Sequence, residues 1–128
     1  YTAHICTVDE YLSICKQYNV FPVVELKWGI GLNNNDMTLF PALYALLEKH
    51  GLVEETVILT SMQQSIEYIR QHYPQLTCQW LRHQVQDADY EWCQQWDVTL
   101  SVPHTSVTEE VIARSQPFGK VVATWTVN

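Results

Sequence analysis

The chain has 128 residues, 47% of them hydrophobic and 16% charged, a composition typical of one folded domain and not of a disordered segment. The formal net charge is −7, from 14 acidic against 7 basic residues. This balance argues against a nucleic-acid backbone as the main ligand, because no basic patch is available. No apolar run reaches the ~18 residues that a membrane span needs, and no secretory signal opens the chain.

The cysteine pattern shows neither Cys-x-x-Cys nor the spacing of a zinc site. The four cysteines are Cys6, Cys15, Cys78 and Cys93. We predict free, buried thiols, which favours a reducing compartment such as the cytoplasm, although four cysteines also allow two disulfides. The chain begins with Tyr1 and ends with Asn128 after an apolar run, and we expect both ends to be cut from a longer chain.

Helix and strand patterns alternate along the whole chain. A capping box of Thr7 and Glu10 predicts a first helix over residues 7–18. The stretch FPVVELKWG at residues 21–29 predicts a buried strand that contains Val23 and Leu26. Later helices are predicted over residues 37–50, 61–72, 87–95 and 108–116, and later strands over residues 56–61, 76–81, 97–102 and 121–127.

Boundary residues support these helices. Asp36 is predicted to cap the second helix and Gly51 to end it, because a glycine accepts the left-handed conformation that closes many helices. Ser61 with Gln64 is predicted to open the third helix, and Pro74 follows its end.

Units of roughly 20 residues, each a strand followed by a helix, build parallel sheets. Two architectures fit: a doubly wound open sheet of five strands, or part of a (β/α)8 TIM barrel, which typically needs roughly 250 residues. The open sheet normally carries a glycine-rich phosphate loop after an early strand. Gly29-x-Gly31 is followed by three asparagines and lacks the third glycine of that motif.

Two charged residues, Glu25 and Lys27, stand at the end of the first predicted strand. Because side chains alternate along a strand, a spacing of two places them on the same side. One interpretation is a surface ion pair. The other is an active-site floor, in which Glu25 is a hard oxygen ligand for Mg²⁺ or Ca²⁺ and Lys27 neutralises an anionic oxygen of a substrate.

Three segments together resemble the glycerophosphodiester phosphodiesterase family. TVDEYLSICKQYNVFPVVELK at residues 7–27 is similar to that family's TLEEYL…EIK segment. VILTS with QQSIEYIR resembles the next strand and helix, and residues 99–128 resemble the late strands that end in the WTVN signature. The agreement runs in order along nearly the whole chain and is weakest over residues 87–96.

The resemblance implies a (β/α)8 barrel that hydrolyses glycerophosphodiesters to an alcohol and glycerol 3-phosphate, usually with a divalent metal. By position, Glu25 matches a metal-binding glutamate and Lys27 the active-site lysine. Trp125 matches an aromatic residue that lines the substrate pocket, and its alternative is a core position. Members occur inside and outside cells, so the resemblance leaves the compartment open.

The chain lacks the family's His-Arg-Gly, Glu-x-Asp and His-Asp motifs and its closing strand. We therefore expect strands three to seven of eight, a fragment without the catalytic histidines that is inactive alone, and self-association through open sheet edges. The alternatives are a non-catalytic half-barrel that binds or assembles, and a small open-sheet domain with an unrelated ligand.

The five histidines of the chain carry weaker predictions. His4 follows Ala3 and imitates the start of the family's first motif, but a helix follows at once, so we interpret it as a lead-in to that helix. His104 follows the fourth predicted strand, where it would either touch substrate or lie in an exposed loop. His50, His72 and His83 fit helix ends or loops.

Overall fold

A computed structural model of the chain describes residues 2–33 and 35–127. The predicted cut ends, Tyr1 and Asn128, lie outside the described residues, as does Asn34. The strands are β1 (Val23–Glu25), β2 (Val57–Thr60), β3 (Thr77–Leu81), β4 (Thr99–Pro103) and β5 (Ala123–Trp125). The helices are α1 (Val8–Tyr18), α2 (Phe40–His50), α3 (Gln63–His72), α4 (Asp87–Trp96) and α5 (Glu109–Ser115), with 3₁₀ turns at His104–Ser106 and Gln116–Phe118.

The five strands form a curled half-barrel. They pair in chain order, β1-β2-β3-β4-β5, and every pair is parallel. A doubly wound sheet reverses its strand order at a switch point, and this sheet does not. The prediction of a partial (β/α)8 barrel is confirmed, and the open-sheet alternative is wrong.

The core lies between the outer face of the sheet and the helices. Side chains on that face are buried: Ile58, Cys78, Trp80, Leu100 and Val102. Four helices add buried side chains to the same cluster: Leu12, Phe40, Leu43, Leu47, Ile66, Ile69, Tyr90 and Cys93. On the inner face, Leu59 and Leu81 are only partly buried, whereas the small Ser101 beside Leu81 is buried. One face of the sheet is therefore packed, and the other opens into the half-barrel.

The edge strands differ most from prediction. β1 and β5 have 3 residues each, shorter than the stretches predicted for them, because each pairs with only one neighbour in the described part of the chain. Val23, predicted to be buried, is 54% exposed. It stands on the outermost strand, where nothing among the described residues covers it, whereas Leu26 is buried as predicted.

Two helix starts also differ from prediction. The capping box of Thr7 and Glu10 and the left-handed Gly51 are confirmed. The second helix begins at Phe40, because the Asp36 carboxylate accepts from the backbone N–H of Thr38 (2.6 Å) and so forms a turn before it. The third helix begins at Gln63, and the hydroxyl of Thr60 accepts from the Met62 N–H, so the predicted role of Ser61 is wrong.

All four cysteines are free thiols in the structure. Cys15, Cys78 and Cys93 are buried as predicted, whereas Cys6 is exposed. Burial raises the pKa of both Cys78 and Cys93 to about 12, so these two thiols are unreactive at neutral pH. No helix among residues 2–33 and 35–127 is long and apolar enough to cross a membrane.

Helices α1 and α2 are joined by the Asp9 carboxylate, which accepts from Lys49 Nζ at 2.8 Å and contacts His50 Nε2 at 2.6 Å. The contact with Lys49, and to a smaller extent that with His50, holds the pKa of Asp9 below its usual range. A carboxyl group with a depressed folded-state pKa stabilises the fold above its unfolded pKa. That stabilisation is lost as pH falls through the folded value.

We expect Asp9→Asn to lower the free energy of unfolding at neutral pH, with a difference from the parent chain that shrinks as pH falls below about 4. Urea denaturation at a series of pH values measures this difference. Glu54→Gln changes an exposed carboxylate outside this contact and serves as the control. A difference that stays constant with pH would contradict the role given to the Asp9 charge.

Candidate functional site

A cavity of about 560 Å³ lies at the carboxyl ends of the strands. Because parallel strands all end at the same edge, residues distant in sequence meet there. β1, β2, β3, β5 and the short segments after them supply its lining: Glu25, Lys27, Trp28, Leu59, Ser61, Leu81, His83 and Trp125. The cavity therefore combines an apolar floor with a carboxylate, an ammonium, an imidazole and two indoles.

Glu25 and Lys27 line the same wall of this cavity, as their spacing predicted. Glu25 is the last residue of β1, and Lys27 lies just beyond it. Between them, the buried Leu26 donates its backbone N–H to the carbonyl of Leu59 at 2.8 Å, which extends the pairing with β2. The backbone is thus fixed where the two charged side chains leave it.

The two charges do not form the alternative surface ion pair. Within the described ranges, neither Glu25 nor Lys27 has an oppositely charged group within 4.0 Å. The Lys27 ammonium lies 5.8 Å from the ring centroid of Trp28, which is 62% exposed. Both the carboxylate and the ammonium are therefore available to a ligand in the cavity.

The loop after β1 is held by backbone hydrogen bonds between its two arms. Ile30 donates to the carbonyl of Asp36 and Asn35 to that of Trp28, each at 2.7 Å. Gly29 has a positive φ of 84°, and a Cβ there would lie 2.5 Å from the carbonyl oxygen of Asp36. The close approach of the two loop arms explains this glycine.

Trp125 lies on the cavity wall at the end of β5 and is partly buried. The ring of His83 packs edge-on against it, with centroids 5.3 Å apart and planes at 88°. The indole Nε1–H of Trp125 is buried without a hydrogen-bond partner within residues 2–33 and 35–127. Trp125 therefore lines the pocket with part of its ring, while its indole nitrogen is buried.

His83 is a titratable lining residue that the sequence did not predict as part of the site. A signal was present: His83 stands two residues after the end of β3, as Lys27 stands two residues after the end of β1. His104 is exposed in a 3₁₀ turn and does not line this cavity. His4 contacts the capping residue Glu10 at 3.3 Å, in agreement with its interpretation as a lead-in to α1.

A second cavity, of about 500 Å³, lies near α1 and the end of α2 and includes Asp9, Lys49 and His50 in its lining. Its charged groups are already paired, Asp9 with Lys49 and His50, and Glu10 with Thr7 and His4. It also lies away from the carboxyl ends of the strands, where barrel enzymes carry their chemistry. The first cavity is therefore the candidate site.

The described residues do not by themselves fit a divalent cation. They contain no group of three or more His, Cys, Asp or Glu side chains that could hold a metal ion. Glu25 is the single carboxylate among the residues that line the cavity. One carboxylate is too few for a dedicated Mg²⁺ or Ca²⁺ site, which uses six or more oxygen ligands, some from water.

Comparison with solved structures shows the same fold in proteins assigned as glycerophosphodiester phosphodiesterases. That of Silicibacter pomeroyi matches 97% of this chain and 46% of its own, with 21% identity and a TM-score of 0.80. The structure from Galdieria sulphuraria matches 92% of this chain and 49% of its own, with 16% identity and a TM-score of 0.80. The structure from Parabacteroides distasonis matches 95% of this chain and 51% of its own, with 13% identity and a TM-score of 0.76.

No protein-family model and no curated protein sequence matches the chain. The chain spans about half the length of each of these three solved structures. The fold expected from the sequence resemblance is thus the fold observed. The described part of this chain has the architecture of about half of the (β/α)8 barrel in those structures.

Proposed function

We propose that the chain forms part of the active site of a barrel that hydrolyses glycerophosphodiesters to an alcohol and glycerol 3-phosphate. One observation carries the proposal. Glu25, Lys27 and Trp125, the three residues singled out by the sequence resemblance, line one cavity at the carboxyl ends of the strands. The structural relatives named as phosphodiesterases support the same reaction class.

Lys27 is the proposed electrostatic group of this site. Within residues 2–33 and 35–127 its ammonium has no acidic partner, and it lies at a cavity that Leu59 and Leu81 also line. A cation at an apolar surface stabilises negative phosphoryl oxygens more strongly than one in bulk water. Negative charge that develops at phosphorus during hydrolysis would be stabilised by this ammonium. Trp125 would shape the glycerol side of the pocket.

Glu25 is the proposed contribution of this chain to a metal site. Carboxylate oxygens are the ligands that Mg²⁺ and Ca²⁺ prefer, and Glu25 is exposed at the cavity. Since it does not make a site alone, the remaining ligands would come from outside the described residues. A bound divalent cation would neutralise phosphoryl charge, and this chain's own contribution would be to hold one of its oxygen ligands.

Proton transfer is the part of the reaction that this chain is not proposed to perform. Phosphodiester hydrolysis needs a base to activate water and an acid to protonate the leaving alcohol. The His-Arg-Gly and His-Asp motifs that supply those groups in the resembling family are absent from the sequence. We therefore propose that these 128 residues alone do not hydrolyse glycerophosphodiesters.

Hydrolysis of glycerophosphocholine tests the role of Glu25. In a complete barrel that contains this chain, Glu25→Ala is expected to abolish most activity and to raise the Mg²⁺ or Ca²⁺ concentration needed for half-maximal rate. Glu54→Ala, an exposed carboxylate outside the cavity, is the control. Unchanged activity and metal dependence in Glu25→Ala would remove Glu25 from the metal site. A genomic reading frame without His-Arg-Gly and Glu-x-Asp would argue against the enzyme as a whole.

A non-catalytic assembly module is the second candidate, favoured by the exposed edge of the sheet. Val23 on β1 and Phe21 just before it are exposed, and unpaired strand edges invite association. Under this hypothesis two copies pair through their open edges. Sedimentation at increasing protein concentration tests it. A concentration-dependent dimer that Val23→Lys abolishes would support it, and a monomer at all concentrations would contradict it.

A further inference from the structure

The loop after β3 is fixed from both sides, and it holds His83 at the cavity. Arg82 donates its backbone N–H to the Ser101 carbonyl at 2.9 Å, which continues the pairing of β3 with β4. The Ser106 hydroxyl donates to the carbonyl of His83 itself at 2.9 Å. The backbone at His83 is therefore set by contacts to two later segments of the chain.

A buried carboxylate supports the same loop. Asp89 accepts from Arg82 Nε at 3.1 Å and from the Gln86 N–H at 2.8 Å. The Arg82 guanidinium also packs over the Trp80 ring, 4.7 Å from its centroid. These contacts occupy the polar groups around His83 but leave its imidazole at the cavity, against the edge of Trp125.

The cavity therefore contains two nitrogen donors from two different strand ends. They are Lys27 after β1 and His83 after β3, and His83 packs edge-on against the Trp125 ring at the end of β5. Glu25 is the single carboxylate of the lining. Two N–H donors around one cavity match a ligand with several anionic oxygens, such as a phosphate ester.

We propose that His83 is a substrate-contacting residue whose imidazole N–H donates to a phosphoryl oxygen of the bound ester. The proposal rests on the function proposed above and extends it with a residue outside the sequence resemblance. Lys27 would bind the phosphoryl group from the β1 side, and His83 from the β3 side. The fixed loop would hold the imidazole in place, so little ordering is required on binding.

Calorimetric titration of glycerol 3-phosphate into the chain tests this role. His83→Phe keeps an aromatic ring against Trp125 but removes the donor, and we expect it to weaken binding about tenfold or more with an unchanged melting temperature. His83→Gln restores an N–H donor and should recover part of the affinity. His104→Phe, outside the cavity, should bind like the parent chain.

The outcomes separate the two proposals. Unchanged affinity in His83→Phe, with binding that still depends on Lys27, would overturn the role of His83 and leave the proposed function standing. Absence of any binding to the parent chain would overturn both. If His83→Phe fails to fold, the imidazole ¹H–¹⁵N signals of the parent chain test the role of His83 instead. The signal of His83 should shift with glycerol 3-phosphate while that of His104 stays, and a stationary His83 signal would overturn the proposal.

Discussion

Methionine in place of Lys27 is expected to reduce kcat/KM for glycerophosphocholine hydrolysis by a complete barrel about 10²–10³-fold, the usual effect of removing one electrostatic group from a transition state. The same change should leave stability nearly unaltered, because Lys27 is exposed and has no ion-pair partner within residues 2–33 and 35–127. Steady-state kinetics and thermal denaturation of the same variant measure the two effects.

Lys16→Met provides the matched control for Lys27→Met. Lys16 is an exposed lysine on α1, and its contact is a 3.4 Å hydrogen bond to the carbonyl of Gly51, away from the cavity. Lys27→Arg keeps the positive charge but replaces the ammonium with a planar guanidinium, and it should retain part of the activity. Equal activity of Lys27→Met and Lys16→Met would contradict an electrostatic role for Lys27.

Loss of the Arg70 guanidinium is expected to be the largest single effect on stability. Arg70 is 16% exposed and donates to the carbonyls of Trp96 (3.0 Å), Pro74 (2.8 Å) and Leu76 (2.9 Å). A fourth contact reaches the carboxylate of Asp97 at 3.2 Å. One side chain on α3 therefore donates hydrogen bonds to backbone carbonyls both before β3 and at the end of α4.

Arg70→Met keeps much of the aliphatic stem but leaves these carbonyls without a donor. We expect a loss of about 3 kcal/mol in the free energy of unfolding, since hydrogen bonds from charged groups contribute about 1.5–3 kcal/mol each and are not additive. Urea denaturation measures it. Arg114→Met is the control, because Arg114 is 40% exposed and pairs with the exposed Asp87, and it should cost about 1 kcal/mol or less. Equal losses would contradict the account of Arg70.

The sequence predicted the order of elements because local signals dominate there. The capping box of Thr7 and Glu10, the left-handed Gly51 and the alternation of buried residues along β2 each depend on neighbours within a few positions. Strand lengths at the sheet edges were overestimated, since pairing with one neighbour supports fewer residues than the apolar pattern suggests.

The candidate site was only partly predictable, because only some of its residues are positioned by neighbours close in sequence. Glu25 and Lys27 were found because they share one strand end, where a period of two places both on one side. His83 was missed because its position depends on contacts with Ser101 and Ser106, about 20 residues later in the chain. The periodicity of apolar residues in a sequence does not predict contacts between residues so far apart. An offset of two residues from a strand end is the one local signal that His83 shares with Lys27.

Chemical-shift mapping with glycerol 3-phosphate on the ¹⁵N-labelled chain tests the central claim, that one phosphate-ester cavity joins the ends of β1, β3 and β5. We expect saturable shifts confined to the cavity lining, with the backbone of Lys27, the imidazole of His83 and the indole N–H of Trp125 among the largest. No shifts at millimolar ligand, or shifts confined to the α1–α2 contact around Asp9, would contradict it.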